Sequence, residues 1–331
     1  MNKQSQQRSF LRIFFETSAV ILFCFLFLEM CARICLHYHL VYDVEMSNYA
    51  MTLKIDSPDR RISHVHRPNA LAKLMGVWVR TNSDGFRGPE CPVARDRKKR
   101  LMFLGDSLTF GWGVEEKDTF TSLLEARLSK IAPTEIINTA SGNYNVEMET
   151  FLFLEKGLKY HPDKVVLFYF IRDAEPTPHR SKFSFLGYSK LITFYWSRFH
   201  MLTVNLDPAN KGYKAHYSSL YKEGQPGLGP TLSSFILLRD TCRKNGIALQ
   251  IVLLPELHQL INYPFVKEDH MMMNFLNTNG IDALDLAPYF SNYKTPMDLW
   301  VATDDAHPNK KANRLFAEDM FDFIKKGLYQ E

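Results

Sequence analysis

Two short stretches, far apart in the chain, carry the residue types from which acyl-transfer chemistry is built. The first is Gly105, Asp106, Ser107, Leu108, Thr109; the second is Asp304, Asp305, Ala306, His307, Pro308, Asn309. A serine hydroxyl is a weak nucleophile at neutral pH and must lose its proton to a nearby base. His307 can be that base, and Asp304 can orient its imidazole and stabilise the imidazolium, the division of labour a serine triad needs. Taken singly, a GDS tripeptide or an Asp near a His says little. Their weight comes from the elements that deliver them.

Those elements alternate. The apolar run 101–104 reads as a buried strand that ends directly on Gly105 and Ser107, so the serine arrives at the carboxyl end of a core strand, where open α/β sheets place their ligands. Residues 120–131 read as an amphipathic helix, 135–138 as a strand, 146–160 as a helix and 164–171 (KVVLFYFI) as a second core strand. Helices over 232–245, 268–278 and 309–328 then alternate with strands over 248–254 and 281–284. Repeated βα units predict a parallel sheet covered by helices on both faces, an α/β class of fold.

Before this domain lie two other regions. Residues 19–28 are apolar throughout, and the stretch 17–36 is interrupted only by Glu29 and Arg33, long enough to span a bilayer as a helix. The two charges sit four apart, share one helix face and can pair. Lys3, Arg8 and Arg12 precede the run while Asp43 and Glu45 follow it, which orients the N-terminus to the cytoplasm and the rest outside. Ala32 lies between Cys31 and Arg33 and offers no clean small-x-small cleavage site, so an uncleaved single-pass anchor (1–37) is expected rather than a signal peptide, and the lead of basic residues places a buried core helix third. Residues 38–98 read as a stalk wrapped onto the domain of residues 99–331. Within that domain, 176–230 breaks the alternation and is rich in aromatics, among them Phe183, Phe185, Tyr188, Phe194, Tyr195, Trp196, Phe199, Tyr213 and Tyr217. It is either a lid lining a substrate groove or a helical insertion with its own small core. The second reading suits most of the aromatics, with a few expected at the site rim.

Composition excludes other classes. The 331 residues are 46% hydrophobic and 23% charged, with a net charge of +4 spread along the chain, so neither a disordered chain nor a nucleic-acid binder is indicated. The one dense basic run, Arg95, Arg97, Lys98, Lys99 and Arg100, reads as a solvated linker before a strand rather than a phosphate patch. Five cysteines without close pairing imply neither a metal nor another cofactor; outside the apolar segment only Cys91 and Cys242 could cross-link. His64, His66, His179, His258 and His270 lack matching acidic partners and read as structural or surface residues. Trp112, Glu115 and Glu116, close behind Ser107, are placed where they could touch substrate, but read first as solvated loop residues.

The ordered blocks resemble the GDSL/SGNH hydrolase family, over about residues 100–328. That family's first block is GDSL, here Gly105 to Leu108, and its last is DxxH, here Asp304 to His307, with Asp305 as the rival carboxylate. Its second block, a glycine in a loop after a short strand, matches Gly142 within Asn138 to Asn145. Its third block, GxND, departs: Phe170, Ile171, Arg172, Asp173 places Arg172 where the family's asparagine helps bind the oxyanion. Guanidinium can donate too, with a different length and fork geometry. Either Arg172 substitutes, or Asn143 or another nearby amide does, or the protein is catalytically weakened.

The resemblance implies a three-layer α/β/α sandwich with a flavodoxin-like sheet, with Ser107 attacking an ester carbonyl. His307 acts as base and then acid, Asp304 holds it, and backbone N–H groups of Ser107 and Gly142 form the remaining oxyanion hole. The absence of G-x-S-x-G around Ser107 argues against the ordinary α/β-hydrolase elbow. With an anchor placing the domain outside the cytoplasm, the expected substrate is an acyl ester, first of all an O-acetyl ester, on an exported or cell-envelope carbohydrate. O-acyl transfer to such a polysaccharide is the alternative, lipid or thioester hydrolysis the third reading, and a binding or assembly partner without catalysis a different class.

Overall fold

The computed structural model describes residues 3–178, 185–206 and 212–329. The expectations for His179 and Phe183 fall outside the described residues, as does the side chain of Phe185. The chain divides into two compact units: residues 1–51 with 183–207, and residues 52–182 with 208–331.

In the first unit α1 (Lys3–Tyr38) is followed by α2 (Tyr42–Thr52), most of which belongs to this unit. The stretch from Phe10 to Tyr38 is the one helix, among the described residues, long and apolar enough to cross a membrane.

The larger unit starts with two small antiparallel ribbons, β1 (Lys54–Asp56) with β2 (His64–His66) and β3 (Leu71–Leu74) with β4 (Val77–Arg80). After them come β5 (Lys99–Gly105), α3 (Ser107–Phe110), α4 (Phe120–Leu128), β6 (Thr134–Asn138), α5 (Val146–Leu152) and β7 (Lys164–Phe170). The insertion supplies α6 (Lys190–Leu206), which belongs to the first unit, and α7 (Gly212–Leu220), which belongs to the second. The chain closes with α8 (Leu228–Lys244), β8 (Ala248–Leu254), α9 (Val266–Thr278), β9 (Asp282–Asp285), the β10 (Trp300–Ala302) and β11 (Asp305–Pro308) ribbon, α10 (Lys310–Asp319) and α11 (Phe321–Lys325).

The central sheet has five strands in the order β6-β5-β7-β8-β9, all parallel. Counted along the chain this is the doubly wound 2-1-3-4-5 order. Its strands are apolar on both faces because both faces are covered. Met102, Leu104, Val165, Leu167, Tyr169, Ile251 and Leu253 point into one core with Phe235 and Leu238 of α8 and Met272 of α9. The alternate residues Leu101, Phe103, Val166, Phe168 and Val252 point into the other, with Phe120 and Leu124 of α4 and Phe316 of α10. Each strand thus feeds two cores at its period of two, which makes the expected three layers. Truncating a fully buried ring such as Phe103 to alanine is expected to cost roughly 3–5 kcal/mol.

Three sequence expectations change here. The region read as a stalk is split: residues 52–98 are part of the larger unit and several of them are buried supports of its loops. The helix expected over 146–160 leaves α-geometry after Leu152, passing through a π turn (Phe153–Gly157) and a 3-10 turn (Leu158–Tyr160). The basic run is not simply solvated: Arg100 is buried, pairs with Glu135 and donates to the carbonyls of Tyr160 and Pro92, while Arg95 pairs with Asp163.

Candidate active site

The strand order reverses between β5 and β7, and the segments leaving those strands carry Ser107 and Arg172, the place where this sheet type binds ligands. The turn after β5 is sterically specified. A Cβ on Gly105 would stand 2.2 Å from Thr109 Oγ1, so no larger residue fits. Asp106 then caps α3, its Oδ1 accepting the N–H of Leu108 at 2.8 Å, and Ser107 becomes the first residue of that short helix. Gly111 ends it with φ 82°, in the left-handed region. The buried Arg87 locks the turn from outside, donating to the carbonyls of Phe110 (2.6 Å), Gly111 (2.7 Å) and Val114 (2.6 Å).

Ser107 Oγ lies 2.8 Å from His307 Nε2. On the other side of the ring, His307 Nδ1 stands 2.5 Å from Asp305 Oδ1. A carboxylate can only accept, so Nδ1 carries the proton and Nε2 presents its lone pair to the serine hydroxyl. The carboxylate on the ring is that of Asp305, and the expectation of Asp304 in this position is corrected. The cause is local: residues 305–308 form strand β11, and in an extended strand side chains two apart point to the same side. Asp305 also accepts the backbone N–H of His307 (3.1 Å) and the indole N–H of Trp112 (2.8 Å). Burial works to raise the Asp305 carboxyl, but these partners and the charge of His307 hold it below the usual 3.8. Trp112 is therefore a buried part of the site and not a solvated loop residue; Glu116 pairs with Arg80.

Arg172 follows β7 directly. Burial acts against its charge, and Asp106, Glu175 and Asp173 outweigh it, so the guanidinium is held firmly protonated. Asp106 is pushed up by burial, against the pull of Arg172, the Leu108 N–H and His307. Behind it Glu149 is pushed well above the carboxylate range by burial and by the charge of Asp106, and its two oxygens have no hydrogen-bond partner among the described residues. Asp173 rises for the same reasons, while its Oδ2 accepts the N–H of Phe170 at 2.7 Å. The charge of Arg172 is thus favoured by the carboxyl groups of Asp106, Glu175 and Asp173, which an uncharged asparagine amide would not answer.

The Gly142 loop is braced by residues from the preceding ribbons. Ser141 N–H donates to the Gly105 carbonyl at 3.1 Å, which ties the loop to the strand that carries Ser107. The carbonyl of Gly142 accepts from Lys54 Nζ (2.6 Å) and from His64 Nε2 (3.1 Å), and Lys54 also reaches Asn143 Oδ1 at 3.2 Å. Asn143 has φ 68°, a left-handed conformation that asparagine tolerates. His66 donates through Nδ1 to the Gly85 carbonyl (3.2 Å) and accepts at Nε2 from Ser141 (3.1 Å). Burial and the nearby Lys54 depress it to about 3, so it is a neutral strut. His64 and His66 are structural, as expected, and the structure adds that what they support is the Gly142 loop.

His258 departs from its expectation, since it does have an acidic partner. It follows β8, its Nδ1 pairs with Glu256, and that bond raises it above 6.5. Its ring lies 4.9 Å from Trp300 and 5.1 Å from Tyr213, and Tyr213 continues through Tyr217 to Phe170. These rings make an aromatic wall along the carboxyl ends of β7 and β8. Glu256, two residues before His258, was the signal that could have drawn attention to it. All five cysteines are free; Cys91 Sγ donates to Glu135 and Cys242 is buried in the core.

No protein-family model matches the sequence. No curated protein matches it either. Among solved structures it is similar to an acetyl xylan esterase, AlAXEase, at 16% identity and TM-score 0.42, covering 68% of this chain and 99% of that one. It is similar to TesA at 12% identity and TM-score 0.44, covering 70% and 99%. A catalytic mutant of Axe2, an acetylxylan esterase from Geobacillus stearothermophilus, matches at 11% identity and TM-score 0.45, covering 70% and 97%. From its own strand order, its GDS turn and its Ser–His–Asp arrangement, the chain carries the α/β/α fold of the GDSL/SGNH hydrolases that its motifs resemble.

Proposed function

We propose that the larger unit is a serine esterase with Ser107 as nucleophile, His307 as general base and then acid, and Asp305 as the carboxylate that orients it. One observation carries this reading: His307 bridges Ser107 Oγ and a buried, ionised carboxylate through its two ring nitrogens, at 2.8 and 2.5 Å. Ser107 Oγ bonds to the ester carbonyl carbon as its proton passes to Nε2, and the carbonyl electron pair moves to oxygen. The backbone N–H groups of Ser107 and Gly142, with the fixed cation of Arg172, receive that oxyanion; Asn143 is the rival donor. Collapse expels the alcohol, which takes the proton from His307. A water, deprotonated by the same nitrogen, then releases the acid and returns the proton to Ser107.

The substrate proposed is an O-acyl, first of all O-acetyl, ester on an exported or cell-envelope carbohydrate. The aromatic rings of Phe170, Tyr217, Tyr213 and Trp300, on segments at the carboxyl ends of β7 and β8, support it, since flat rings suit sugar faces. The stretch Phe10 to Tyr38 is proposed as a single-pass anchor, with the basic N-terminus cytoplasmic and the catalytic unit outside. Its apolar side chains, Phe10 and Phe23 among them, are exposed, as lipid-facing side chains are.

The test is acyl release from a small aryl acetate and from acetylated polysaccharides by the wild type, Ser107→Ala and Arg172→Ala. Acetate release abolished in Ser107→Ala supports the esterase; acetate appearing on an added sugar hydroxyl instead of in water would reassign the chemistry to transfer. No acyl turnover by the wild type would leave a binding domain. Retention of the protein in the membrane pellet after alkaline carbonate supports the anchor, and release into the supernatant contradicts it.

A further inference from the structure

Glu29 is an acid inside an apolar helix, and the structure shows what it does there. Its Oε1 accepts from Arg33 Nε (2.7 Å) and from the backbone N–H of Lys190 (3.0 Å); its Oε2 accepts from Ser189 Oγ (2.7 Å) and the N–H of Leu191 (3.0 Å). Ser189 Oγ in turn accepts the N–H of Ile192 at 3.1 Å, and Thr193 N–H makes the first regular helical bond, to the Ser189 carbonyl. Arg33 closes the arrangement by donating to the Tyr188 carbonyl at 2.8 Å. The first-turn donors of α6, which a helix in water leaves to solvent, are therefore all satisfied by protein groups, two of them by a side chain of α1. Complete satisfaction of backbone donors is what a helix end needs where water is scarce.

The rest of α6 fits the same environment. Trp196, Phe199, Leu202 and Leu206, spaced three to four apart, are 65%, 60%, 59% and 76% exposed, a continuous apolar stripe. The hydroxyls of Ser197 and Thr203 fold back onto the helix's own carbonyls at Phe194 (2.9 Å) and His200 (2.7 Å). The helix belongs to the same compact unit as α1, whose apolar surface is likewise exposed.

We propose that α6 is a second membrane-contacting element, its Trp196–Phe199–Leu202–Leu206 stripe seated in the lipid bilayer beside α1 and its N-terminus locked to α1 through Glu29. This rests on the reading of α1 as a membrane anchor. The occupant is lipid because the stripe belongs to the same unit as a helix of spanning length whose apolar side chains are likewise exposed, and the donors at its N-terminus are taken up by protein groups. Aromatic residues with a nearby Arg198 and His200 are the composition of helices at a membrane interface.

The test uses the full chain reconstituted in phosphatidylcholine–phosphatidylglycerol vesicles whose acyl chains are brominated, with tryptophan quenching read for the wild type and Trp196→Phe. The expected result is quenching in the wild type that is mostly lost in Trp196→Phe, with both proteins retained by the vesicles after alkaline carbonate. Equal quenching in both, or none in a wild type that carbonate does not extract, overturns the proposal and leaves the anchor standing. If the unquenched protein also cross-links as a dimer through this helix, the stripe belongs to a second copy. Extraction of the protein by carbonate removes the anchor reading, and this inference with it.

Discussion

The indole N–H of Trp112 donates to Asp305 Oδ2 at 2.8 Å, so the loop that carries Ser107 holds the carboxylate that in turn holds the imidazole of His307. With His307 on Oδ1, both oxygens of Asp305 are engaged by groups that favour its charge. One side chain of the serine's own loop thereby fixes the far end of the hydrogen-bonded chain Ser107–His307–Asp305.

Asp305→Ala removes the group that sets the ring's tautomer. Its kcat for a small aryl ester is expected to fall about 10³- to 10⁴-fold, whereas Asp304→Ala stays within a few-fold of wild type. Steady-state kinetics of the two variants side by side decide the assignment; the reverse ranking would return the role to Asp304.

Trp112→Phe keeps a ring in the buried site and deletes only the donor to Asp305. A lost hydrogen bond to a charged acceptor is worth about 1.5–3 kcal/mol, so kcat is expected to drop roughly 10- to 100-fold. Circular dichroism that still shows a folded protein separates this from collapse of the loop.

Lys54→Met frees the carbonyl of Gly142 from its ammonium partner. If Lys54 positions the oxyanion loop, kcat falls by about 10-fold or more while KM stays near wild type, the mark of an interaction felt in the transition state. A rise in KM with unchanged kcat would place its effect on substrate binding instead.

Asp269 of α9 is a buried carboxyl raised to about 8 by burial and by Asp285 and Glu268. The folded chain then keeps a proton that the unfolded chain gives up near 3.8, so this group makes stability fall as pH rises from 3.8 to about 8. Asp269→Asn cannot ionise, and its advantage over wild type should grow across that window by up to about 1.4 kcal/mol per pH unit. Denaturation midpoints measured through the window test it, and a constant gap would contradict it.

Much of the fold was legible because the runs around Leu101 and Lys164 are apolar without alternation, the mark of strands buried on both faces. Ser107 and His307 were legible because each sits at the edge of a regular element. The choice between Asp304 and Asp305 was not, since it turns on whether 305–308 is extended, and no alternating pattern announces so short a strand. The support that Lys54, His64 and Arg87 give to the loops escaped because the partners named above lie between 23 and 89 residues away, beyond any local spacing. Glu29 was read as one half of an ion pair with Arg33, which it is; its larger task as the cap of α6 depends on a helix 160 residues further on.

The most direct test of the central claim is labelling of the full-length protein, in detergent, with a fluorophosphonate serine probe, comparing wild type with Ser107→Ala. The triad geometry predicts one labelled serine in the wild type and none in Ser107→Ala. A wild type that stays unlabelled while folded, or labelling that persists in Ser107→Ala, would contradict an activated Ser107.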